Sequence, residues 1–142
     1  MRIYGEAAVR ATRYVTSGTV PYPRTAWDRA IAELSNSDSS RRKVCPRNAF
    51  LGLCEAGHVV GIKAGKYGAP HHNKNGHYAI GAHQILKSRP DLSKSLNALW
   101  AKVAPPGLRE NQQMDVVTAL WNSGLLHRLV SLNSPSSPPL LM

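Results

Sequence analysis

The stretch from Val44 to Gly65 constrains the fold most, because it sets both the start and the stop of one short helix. Cys45-Pro46 opens it: proline suits a first helical turn, where its missing N–H removes no bond and its ring presets φ. Gly57 closes it, since glycine enters the left-handed conformation that a helix end often needs. A helix over Cys45–Ala56 buries Ala49, Phe50, Leu53 and Cys54 on one side. A chain built from units this short must bury them against one another.

The same logic runs along the rest of the chain. Ile3, Ala7, Ala11 and Tyr14 form a helical stripe over residues 3–17, with Tyr4, Ala8 and Val15 beside it. Thr25-Ala-Trp-Asp28 resembles a capping box and starts a helix to Leu34 with Trp27 and Ile31 inward. Ser35–Ser40 reads as a polar loop. A helix over 76–87 carries Tyr78, Ala79, Ala82, Ile85 and Leu86. Another over 92–104 carries Leu92, Leu96, Leu99, Trp100 and Val103, and Pro105-Pro106-Gly107 breaks it. Asn111 caps a last helix through Met114, Val117, Leu120 and Trp121, ending at Gly124 and extended after a kink over Leu125–Leu132. The pattern predicts a mostly α, compact single-domain bundle of about six helices over residues 1–132. Residues 133–142, rich in Pro and Ser, read as a disordered tail. The three tryptophans fall at stripe positions and read as core anchors. Val59, Val60 and Ile62 read as a brief extended piece or turn, followed by a long loop rich in Gly and His that ends at Gly76.

With 142 residues the chain can bury a core without staples. Its net charge of +10 suits phosphate backbones or acidic proteins. The excess is spread over both halves, and the one tight basic cluster is Arg41, Arg42 and Lys43, with Arg47 four residues on. These four are the candidate nucleic-acid-binding residues, set against the plain reading of a solvated loop. A helix-turn-helix reader requires a turn of three or four residues. The interval from Gly57 to Gly76 is far longer.

Cys45 and Cys54 are nine residues apart, about 13.5 Å along a helix, beyond disulfide reach. Two free thiols point to a reducing compartment, the cytoplasm. No apolar leader is visible, and no apolar run approaches the roughly 20 residues a membrane span requires. Cys45 at a helix N-terminus among basic residues is the candidate nucleophile, with His58 or a loop histidine as base. The opposing reading is a cysteine half buried at a helix start. His71, His72, His77 and His83 lack the i,i+4 spacing of a helical zinc pair, and no C-x-x-C occurs. No metal and no cofactor is expected. Gly57, Gly61 and Gly65 match no phosphate-loop spacing and read as turn residues.

Three blocks, Cys45–Ile62, Asn75–Ala82 and Gln113–Leu126, resemble a family of small bacterial proteins described as a domain of unknown function. The resemblance covers roughly Ile3 to Leu126 and implies one mostly helical domain. It implies no reaction and assigns no site residue. Three functional readings therefore stand. The first is a non-enzymatic module that binds an anionic partner, nucleic acid or an acidic protein. The second is a cysteine-dependent enzyme centred on Cys45, and the third a self-associating structural protein, a homo-oligomer.

Overall fold

A computed structural model describes residues 2–129. Six helices of eight or more residues carry the fold: α1 (Ile3–Thr16), α2 (Pro23–Leu34), α4 (Val44–Glu55), α5 (Lys74–Ser88), α6 (Leu96–Val103) and α7 (Gln113–Asn122). A single turn, α3 (Asp38–Arg41), links α2 to α4, and a 3-10 turn over Pro90–Lys94 precedes α6. Among the described residues the only β pairing is one antiparallel bridge, Val59 to Leu126. The expected tail at 133–142 and the domain boundary at 132 lie outside the described residues.

α4 and α7 form the centre. Both are buried almost all round, α4 from Asn48 to Cys54 and α7 from Gln113 to Trp121. α1 packs on α7, and α2 folds back along α1. Trp27, Trp100 and Trp121 are buried as their stripe positions require, and Trp27 stacks on Phe50 at 5.4 Å. Two crossings are closed by glycine. A Cβ at Gly52 would lie 2.4 Å from Gly76 Cα, so α4 and α5 meet backbone to backbone. A Cβ at Gly5 would lie 2.7 Å from Ala119 Cβ, where α1 crosses α7.

The helix ends depart from the sequence reading where a stronger local signal wins. α2 starts at Pro23, not at the expected capping box, because proline presets the first turn. Thr25 therefore lies inside the helix, and Asp28 pairs with Arg24 instead. The Ser35–Ser40 loop contains the cap of α3, where Ser37 accepts a hydrogen bond from the Ser40 N–H at 3.3 Å. α5 starts at Lys74, two residues before the expected Gly76, because Asn73 caps it, accepting from Gly76 N–H at 3.0 Å. The helix expected from Leu92 begins at Leu96, where the Ser95 side chain caps it. Asn111 does not cap α7. Gln112 precedes that helix in the left-handed region at φ 67°, and the Glu110 carboxylate accepts from Met114 N–H at 3.0 Å.

α4 and α7 end alike. Gly57 and Gly124 have φ of 78° and 74°. After each, an N–H returns to the last turn: His58 to the Leu53 carbonyl and Leu125 to the Leu120 carbonyl. The chains leaving these two ends pair through Val60 N–H to Leu125 O at 2.8 Å and His127 N–H to His58 O at 3.3 Å. The helical extension expected over Leu125–Leu132 is thus replaced by an extended segment as far as described, since Gly124 has already turned the chain.

Candidate anion-binding face

The eight acidic side chains are all engaged. Asp115, Glu6, Glu33, Asp28, Asp38 and Asp91 pair with arginines. The remaining two carboxylates, Glu55 and Glu110, accept backbone N–H groups. Among the described residues no lysine forms an ion pair. The excess positive charge is therefore carried by side chains without acidic partners.

The basic cluster of the sequence separates in space. Arg41 turns back, its Nε donating to the Ser35 carbonyl at 2.8 Å. Arg42 reaches Asp38 at 3.9 Å, both exposed. Lys43 lies over the Tyr4 ring at 5.8 Å. Arg47 goes elsewhere. One helical turn on, it lies on α4, which packs against α2, and among the described residues its side chain's one hydrogen bond runs from Nε to Asn48 Oδ1 at 3.3 Å. Partial burial, then the nearby Arg24 charge, hold the Arg47 guanidinium below its ordinary pKa. Arg24 is itself incompletely matched. Its Nε is buried without a hydrogen-bond acceptor, 3.7 Å from Asp28 Oδ2, and its Nη1 donates to Gly68 O at 3.5 Å.

The loop after α4 is tied down from three sides. Glu55 Oε2 accepts from Tyr67 N–H at 2.7 Å and Ala69 N–H at 3.1 Å. Asn73 Nδ2 donates to the Asn48 carbonyl at 2.9 Å, and the Tyr67 hydroxyl donates to Lys63 O at 2.6 Å. Arg24 holds Gly68. Beside the loop lies an open cleft of about 450 Å³ bordered by Lys66, His71, Asn73 and His77. A neighbouring hollow of about 560 Å³ runs along Lys66, Gly68, Pro70 and His71. Tyr22 stands 45% exposed beside it, edge-on to Tyr67 at 5.9 Å and 76°. The glycine spacing is turn geometry at Gly57 and Gly61, both at positive φ.

Cys45 and His58 do not meet. Cys45 lies in the first turn of α4 and His58 just past its last, with His58 N–H on the Leu53 carbonyl, so about 12 Å of helix axis separates them. The Cys45 sulfur accepts from Asn111 Nδ2 at 3.5 Å. His71 and His77 lie beside Gly52, Glu55 and Ala56, over the other half of α4. Both cysteines are free. His58 instead packs on His83, ring to ring at 5.0 Å. His83 is fully buried and its Nε2 lies 2.7 Å from the His127 carbonyl. Burial pushes His83 down to about 4, and His58 is lowered chiefly by burial, then by Lys87 and His127. Among the described residues no group of three or more His, Cys, Asp or Glu side chains is arranged to hold a metal ion.

Arg24, Tyr22 and Glu55 carry no signal in the sequence, because no spacing links position 24 to 47 or 55 to 67. Asn73 does carry one: an Asn three residues before Gly76 is a capping pattern.

These features define a small, basic, all-α protein with an open cleft between α4, the start of α5 and the loop that joins them. The chain belongs to a family of unknown function (DUF6979), which matches residues 1–127. No curated protein and no solved structure matches it. No helix among the described residues is long and apolar enough to cross a membrane.

Proposed function

We propose that this protein is a non-enzymatic, cytoplasmic bacterial binding module for an anionic partner, which it holds on the Arg24–Arg47 face. The arginine pair carries the reading. The Arg47 guanidinium, partly out of water and within the field of Arg24, costs stability. Asp28 offsets this only in part, at 3.7 Å from one Nε. A phosphate or carboxylate between the two guanidiniums would satisfy the unused donors with charge-assisted bonds. Lys66 and the other lysines without acid partners extend the field around it. The two free thiols accord with a reducing compartment.

Fluorescence anisotropy of labelled single-stranded DNA and of a labelled poly-glutamate peptide, at about 50 and 200 mM salt, tests this. Binding should weaken with salt, and Arg24→Gln/Arg47→Gln should flatten the log–log slope by about 1.5, two contacts' worth. Salt-independent binding, or an unchanged slope in the double variant, would overturn it.

A further inference from the structure

The geometry points to single-stranded nucleic acid as the anionic partner, with a phosphate on Arg24, drawn also by the Arg47 charge, and a base stacked on Tyr22. This rests on the anion-binding reading above and narrows it.

Tyr22 is the N-cap of α2 and Arg24 lies two residues later, in its first turn. The aromatic ring and the guanidinium therefore project from one point of the backbone. The ring is 45% exposed, yet it is not loose. Tyr67 supports it edge-on at 5.9 Å, and Tyr67 is itself fixed by its hydroxyl on Lys63 and its N–H on Glu55. The Tyr22 hydroxyl and the Arg24 stem both lie within 4 Å of the position a Cβ would take at Gly68. A supported aromatic face beside paired cations is how proteins hold single strands: every base has a π-face, and every nucleotide a phosphate.

Beyond Gly68 the surface continues in the same manner. The hollow of about 560 Å³ offers Lys66 for a second phosphate and the exposed, flat surfaces of Pro70 and His71 for a second base.

Two alternatives fit less well. Duplex recognition places a helix or ribbon in the major groove. Here α2 and α4 meet the face with their first turns, where Pro23 and Pro46 are buried, and α3 is one turn long. An acidic peptide would use the arginines but leave the Tyr22 ring without a stacking partner.

The test is anisotropy with a labelled single-stranded oligonucleotide, the same sequence as duplex, and poly-glutamate. The proteins are wild type, Tyr22→Ala, Tyr22→Trp and Arg24→Gln/Arg47→Gln, with folding checked by circular dichroism. The proposal expects the single strand to bind best and Tyr22→Ala to weaken it about tenfold or more, with Tyr22→Trp retaining affinity. Poly-glutamate should be indifferent to Tyr22→Ala. Single-strand binding by Tyr22→Ala as tight as by wild type, or a preference for duplex or poly-glutamate, would overturn the nucleic-acid assignment while leaving anion binding intact. Binding of all three polyanions unchanged in the double arginine variant, or absent from wild type, would overturn both.

Discussion

Acid should unfold this protein through His83. The ring is fully buried on α5, with Nε2 on the His127 carbonyl at 2.7 Å. A carbonyl only accepts, so Nε2 carries the proton and Nδ1 is left as a lone pair. Nδ1 is buried without a partner. A second proton there would place a cation in the core beside His58, His127 and Lys87. The folded chain resists that proton until about pH 4, whereas the reference value is 6.5. Between those values the unfolded chain is protonated and the folded chain is not. Stability is therefore fully present above pH 6.5, falls as pH drops toward 4, and levels off below. A difference of about 2.5 pH units at about 1.36 kcal/mol each corresponds to about 3 kcal/mol. The assay is urea unfolding followed by tryptophan fluorescence at pH 7, 6, 5 and 4, for wild type and His83→Gln. Subtracting the variant removes the other titrating groups. The wild-type advantage should shrink by about 3 kcal/mol between pH 7 and 4. A difference that stays constant over that range would refute the reasoning.

Three further outcomes follow from the packing. Gly52→Ala should destabilise by more than about 2 kcal/mol, measured by thermal melting, because its Cβ would lie 2.4 Å from Gly76 Cα, and backbone cannot yield as a side chain can. Asn73→Ala removes a helix cap and the tie to Asn48, and should lower stability by about 1–2 kcal/mol in the same assay. A thiol reagent should modify the half-buried Cys45 in the native protein and reach Cys54 only on unfolding, since burial both shields that thiol and pushes its pKa up. Mass mapping of the labelled peptides would show the order.

The helices were legible because their signals are local. The stripe over 3–17, Pro46 and Gly57 around α4, and Gly124 after α7 each act within one or two turns. Their ends were harder. Pro23 overrides the Thr25 capping pattern, and the Ser95 cap separates Leu92 from the helix whose stripe it continues. The site was mostly illegible for a different reason. Arg41, Arg42 and Lys43 are adjacent in sequence, and neighbours on a turn point apart. Arg47 matters only beside Arg24, and that contact depends on how α2 packs on α4. His83 reads as one of several loop and helix histidines until Trp121 and the His127 segment close over it. The separation of Cys45 and His58 follows from helix length alone once Gly57 is accepted as the end of α4.

The arginine pair is the centre of the account, and arginine Nε–H resonances report on it directly. The measurement is a ¹⁵N NMR titration of the full chain with a short single-stranded oligonucleotide, following assigned side-chain Nε signals. Arg24 and Arg47 should shift together and saturate at one concentration, while Arg41 and Arg42 move little. Shifts centred on Arg41 and Arg42, or none at Arg24 and Arg47, would contradict it.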